Sequence, residues 1–257
     1  MRTANPALNN KTFSDLGIYS GSDIMTIQGT AQKAFVLLML VLFSSVFVWR
    51  RFYFSYNITG DMSISSAAVT PFLFLGLIGG LIAALVTIFS KKSAPVTAPV
   101  YCLLEGLVIG SLSCFAEARF PGLVFQAVAL TFGTAVTILF LYTSGWIKAT
   151  EKFKMGIVSA TGAIFLVYLS SFVLSFFKVN WLGSLFDSGA VGILFSLFVV
   201  SIAALNLVLD FDFIEKGAAA GAPKYMEWYG AFGLMVTLIW LYIEILRLLV
   251  KLQSRRR

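Results

Sequence analysis

The chain has 257 residues, 59% of them hydrophobic and only 12% charged, with a mean hydropathy of +0.90. No water-soluble core of this size could enclose so much apolar surface, so lipid must be the solvent for most of the chain. The net charge of +7 excludes little by itself, but the basic residues stand at the ends of apolar runs. Topology signals and anionic headgroups account for that placement, which points to a lipid bilayer as partner and not to nucleic acid.

Residues 1–30 read as a polar N-terminal tail. Asn5, Asn9, Asn10, Asp15 and Asp23 leave no early apolar core, so this is no signal peptide. Seven apolar runs follow at 34–49, 67–89, 100–116, 122–142, 156–177, 190–209 and 228–249. A helix of about 20 residues crosses the ~30 Å hydrocarbon layer, so each run predicts a spanning helix. The first run is short, though Arg50 and Arg51 can snorkel to the interface. A β-barrel would need alternating ten-residue segments, and the unbroken runs exclude it. The expected fold is an all-α polytopic membrane protein: a single seven-helix bundle over 31–252, with a basic C-terminal tail at 253–257. A monomer is compatible with this plan.

Placing the N-terminus inside puts Arg2, Lys11, Lys33, Lys91, Lys92, Lys148, Lys152, Lys154, Lys216 and Lys224 on the inner side. The outer loops then hold Arg50, Arg51, Arg119 and Lys178. The bias favours an inside N-terminus. Arg247, Lys251 and Arg255 to Arg257 disagree, because a seventh crossing carries them outside. Seven crossings are expected, with a re-entrant last segment as the alternative.

Ionisable groups inside apolar spans are costly, and each one needs a reason. Glu105 lies about five residues into the third run, ahead of Gly106, Gly110 and Ser113, whose spacing makes one close-packing helix face. Near the headgroups it would do no more than cap or pair. Asp210 and Asp212 close the sixth run. Ser196, Ala203, Asn206 and Asp210 share a small or polar face that should point into the bundle, whereas Asp212 lies about 200° around the helix and reads as a mark of the water boundary. Glu244 continues a stripe through Gly230, Gly233, Thr237 and Trp240, and Arg247 can reach back to it. Glu227 begins that last helix, where the helix dipole favours an acid.

Carboxylates that meet out of water do not ionise together, and such a pair titrates as a coupled unit. It can also attract Ca²⁺, a cation that takes oxygen ligands. The sequence therefore admits a proton-sensitive cation path with Asp210 as sensor, Glu244 or Glu227 as its partner, and Asp212, Glu105 and Asn206 along the way. Calcium would be a permeant ion touching Asp210 transiently; no resident metal or cofactor is expected.

Enzymatic readings find little support. The chain has no histidine, which removes Ser–His catalysis, His-ligated zinc and His proton relays. Cys102 and Cys114, twelve positions apart on one predicted helix, stand about 18 Å from each other and cannot form a disulfide together. No phosphate-binding glycine loop is present.

Four segments in order, "LEGLVIGSLS" (104–113), "EARFPGLVFQAVALTFGTA" (117–135), "KATEKFKMGIVSATGAIFLVYL" (148–169) and "LDFDFIEKGAAAGAPKYMEWYGAFGLMVTLIWLYIEILRLL" (209–249), resemble the bacterial Bax-inhibitor/YccA-like family. The resemblance implies seven helices with the last at the centre, and a calcium-permeable, pH-sensitive leak in a bacterial inner membrane, with the N-terminus cytoplasmic. In the family's better-known branch an aspartate on each of the last two helices works with an arginine on the second. Asp210 matches the first aspartate. Thr237 stands where the second would be, with Glu227 and Glu244 as candidates to replace it, and the second span carries no arginine or lysine. Bacterial relatives also resemble modulators of a membrane-bound AAA protease, a role in which the tail of residues 1–30 would meet the partner. A small-solute transporter is a third reading, with no inverted repeat to support it.

Overall fold

The computed structural model describes residues 24–177 and 183–256. Most of the tail read at 1–30 thus lies outside the described residues, as do Lys178 and Arg257. Seven long apolar helices are present: α1 (Ile27–Thr59), α2 (Met62–Phe89), α3 (Ala94–Arg119), α4 (Leu123–Thr143), α5 (Glu151–Phe176), α7 (Ala190–Ala219) and α8 (Met226–Arg256). A four-residue helix, α6 (Gly183–Phe186), precedes α7, and the described residues contain no strand. The chain is an all-α, seven-span membrane protein. Its last segment is 31 residues long and apolar enough to cross, so nothing requires it to re-enter.

Most helices outrun the apolar windows, for identifiable local reasons. α1 starts inside the presumed tail because the Thr26 hydroxyl caps it by accepting from the Gly29 N–H, and it stops at Gly60, whose φ of 66° is the left-handed conformation that ends helices. Asp61 caps α2 in the same manner through Ser63. α3 begins six residues before the apolar run at 100, since Pro95 occupies a first-turn position where its missing N–H costs nothing. Pro121 and Gly122 (φ 83°) turn the chain into α4, and the Glu117 carboxylate accepts from the Gly122 and Val124 N–H groups at 2.6 and 3.2 Å. α8 continues through 253–256, so the basic tail is the end of a helix.

α8 packs against α1, α3, α4 and α7 and forms the axis of the bundle. α5 is peripheral: Lys154, Ile157 and Ile164 are its buried residues. With lipid outside, close backbone approach is the main source of helix association. Gly76 and Gly80 of α2 face Leu104, Val108 and Glu105 of α3, and Gly106 and Gly110 of α3 face Val41, Ser44, Ser45 and Val48 of α1. A Cβ on Gly76 would stand 2.5 Å from the Leu104 carbonyl oxygen, so only glycine allows this approach. Ser113 completes the α3 face by a 2.7 Å hydrogen bond to the Tyr242 hydroxyl on α8.

Candidate functional site

The candidate site is built on α7, whose inward face holds Ser196, Ala203, Asn206 and Asp210, all buried. Asn206 donates to the Thr161 hydroxyl of α5 at 2.9 Å and to the Ile202 carbonyl at 2.8 Å. Asp210, one turn on, is 1% exposed. α7 and α8 are antiparallel about the turn at 220–225, which places Asp210 level with Met235 and within about half a turn of Thr237. Thr237 is buried, and its hydroxyl donates to the Gly233 carbonyl at 3.4 Å.

The acids nominated as partners for Asp210 lie at other levels. Glu227 is about eight residues, ~12 Å, nearer the α7–α8 turn, and Glu244 about nine residues, ~13 Å, nearer the far end of α8. Glu227 is fully buried. It accepts from the Thr26 N–H at 3.0 Å, the Thr26 hydroxyl at 2.9 Å, the Lys33 ammonium at 2.5 Å and Lys224 at 3.2 Å. A Cβ on Gly29 would overlap this carboxylate, so a glycine there lets α1 close on it. Adjacent backbone pairing, Met25 N–H to the Ala222 carbonyl at 2.6 Å, ties the start of α1 to the same turn.

Glu244 accepts from the Arg247 guanidinium and from the Tyr168 hydroxyl of α5, each at 3.1 Å. Arg247 also donates to the Tyr168 oxygen at 2.7 Å and lies over its ring at 5.1 Å. The reach-back read from the i, i+3 spacing is therefore present; Tyr168 is an addition the sequence did not signal. Beyond it, the buried Lys251 donates to the Leu185 and Gly192 carbonyls at 2.9 and 3.0 Å, pinning α6 and the start of α7.

Asp212 corrects its reading as a boundary mark. It is buried between the Lys154 and Lys216 ammonium groups, each at 2.8 Å. Lys154 is itself 1% exposed and reaches Glu151 at 3.3 Å. A lysine four residues into α5 looks like a loop charge in the sequence; tertiary packing makes it a buried bridge from α5 to α7. Next to this bridge a cavity of about 750 Å³ opens between α1, α4, α7 and α8, lined among others by Thr30, Tyr142, Lys148, Asp212 and Glu215. The Tyr142 hydroxyl donates to Glu215 across it.

Glu105 sits deeper than its distance from the apolar boundary suggests, eleven residues into the 26-residue α3. It lies against Gly80, away from the α7 face. No group of three or more metal-ligating side chains exists among the described residues. The structure thus gathers Asn206 and Asp210 on one face, places Asp212 just beyond them, and sets Glu227, Glu244 and Glu105 in three separate surroundings.

A family model described as Bax inhibitor 1 like matches residues 5–254. No curated protein and no solved structure matches the chain.

Proposed function

The chain belongs to the Bax inhibitor 1 like family, and from that premise we propose that it is a pH-sensitive cation leak, with Ca²⁺ as the permeant ion and Asp210 as the proton sensor. The observation that carries this reading is a carboxylate 1% exposed on the small and polar face of α7, one turn from a cavity with charged side chains on its wall at the end of the bundle. An acid at that depth is a proton-sensitive group with functional purpose by default. The cavity, with Asp212, Glu215 and Lys148 on its wall, is the vestibule from which a hydrated cation approaches Asp210. Glu227 and Glu244 are held by bases at two other levels of α8, so the sensor acts without a second carboxylate at its own level. The protein is a conduit and not an enzyme.

A cytoplasmic N-terminus in a bacterial inner membrane belongs to the same reading, the orientation resting on the lysine and arginine bias and the membrane on the family. Arg247 and Lys251, which opposed that orientation, are engaged by Glu244, Tyr168 and two backbone carbonyls. Lys33, Lys154, Lys216 and Lys224 on the inner side are ion-paired as well, so pairing does not alter the balance of charges.

The test is Ca²⁺ entry into liposomes holding the purified protein, followed with a trapped dye from about pH 5 to about pH 8, a range in which perturbed carboxyls titrate. The expected result is a flux that changes with pH, and an Asp210→Asn variant whose flux no longer does. Flux with unaltered pH dependence in the variant, or no flux at any pH, overturns the reading.

A further inference from the structure

A second cavity, of about 560 Å³, lies between α2, α3 and α8, and none of its lining residues borders the Asp212 vestibule. Glu105, Tyr101 and Phe232 line it, and Ile78 and Leu81 of α2, 62% and 61% exposed on the lipid face, flank its mouth. Tyr101 stands one turn before Glu105 on α3, its ring packed edge-on against Phe232 with centroids 4.9 Å apart. Gly80 brings α2 so close that a Cβ there would stand 2.8 Å from the Glu105 carboxylate.

Among the described residues no ion pair or hydrogen bond reaches the Glu105 carboxylate, which contrasts with Glu227, Glu244 and Asp212. An acid near the middle of a spanning helix is held ionised only with a counter-charge at hand. An inorganic divalent ion does not fit, because it takes six or more oxygen ligands and the walls are nearly all apolar. A cation that carries its own apolar body fits on both counts: a carboxylate for the charge and an aliphatic mouth continuous with lipid for the chain. We infer that this cavity is a binding site for a protonated lipophilic amine, entered sideways from the bilayer, with Glu105 as its counter-ion. The site stands apart from Asp210, so its failure leaves the leak untouched, and the reverse holds.

The full-length protein in phosphatidylcholine nanodiscs, titrated with radiolabelled dodecylamine against empty nanodiscs, tests it. Saturable binding of about one amine per chain is expected, displaced poorly by dodecanol, which has the chain but no charge. Glu105→Gln should weaken binding roughly tenfold or more, the size of a lost charge-assisted contact. Leu81→Trp, at a lipid-exposed position of the mouth, should abolish binding without entering the core. Absence of saturable binding overturns the site, as does displacement by dodecanol as effective as by unlabelled amine, or wild-type affinity in Glu105→Gln. Should Glu105→Gln fail to fold, wild-type affinity in Leu81→Trp overturns it.

Discussion

Two levels of α8, its first turn and its middle, hold a buried glutamate in different ways. At the α7–α8 turn, Glu227 gathers donors from the lead-in to α1, from α1 itself and from the turn, through Thr26, Lys33 and Lys224. Farther along α8, Glu244 meets one guanidinium three residues along its own helix and one phenol from α5, and Arg247 is partly open, its side chain 38% exposed. The first arrangement locks the earliest described helix to the last. The second is looser and is backed by a single lysine that fixes α6. Between them α8 carries Thr237 at the level of Asp210. Both glutamates are ion-paired into the packing of α8, which leaves Asp210 as the proposed sensor.

The comparison is broken most severely by removing Glu227. Glu227→Ala leaves two ammonium groups and a backbone N–H without their acceptor, and the loss of one partner of a buried pair costs about 3–5 kcal/mol. Denaturation in detergent should show it, with Glu244→Ala costing clearly less; equal losses would erase the distinction between the two levels. Gly29→Ala forces a methyl group into the Glu227 carboxylate and should cost about 1–3 kcal/mol by overpacking, again read from the denaturation midpoint. A neutral outcome would mean that α1 shifts freely there.

Smaller effects belong to the far end and to the helix caps. Lys251→Met takes the donor from the Leu185 and Gly192 carbonyls, a loss of about 1–3 kcal/mol confined to this region. Faster hydrogen exchange over 183–192 with an unchanged α1 is the expected signature. The smallest change concerns Asp61, outside the spans, where the Ser63 hydroxyl and N–H hold the carboxyl below its ordinary pKa. Its folded-state pKa is depressed, so its contribution is present above the ordinary carboxylate range and is lost as pH falls through the lowered value. Hydrogen exchange in the first turn of α2 should quicken only in that acid range, and Asp61→Ala should remove the dependence.

Much of the architecture was legible because lipid simplifies the code: a long apolar run has few alternatives to a spanning helix. The ends of the helices were not legible from hydropathy, since α7 continues through Glu215 and Lys216 to Ala219 as an ordinary polar helix. The same blindness set Glu105 too near the surface, because the first turns of α3, which carry Pro95 and Pro99, do not register as span. The inward face of Ser196, Ala203, Asn206 and Asp210 followed from helical period alone. The pairing of Lys154 with Asp212, and of Tyr168 with Glu244, depends on how α5 docks on α7 and α8, and nothing local in the sequence encodes that register.

The most direct test of Asp210 as the proton sensor is infrared difference spectroscopy of the reconstituted protein across the pH range in which flux changes. The expected result is a protonated-carboxyl band that grows and fades in step with the flux and is missing from Asp210→Asn, while Glu227→Gln and Glu244→Gln retain it. A band that titrates unchanged in Asp210→Asn would contradict it and would move the sensor to another carboxylate.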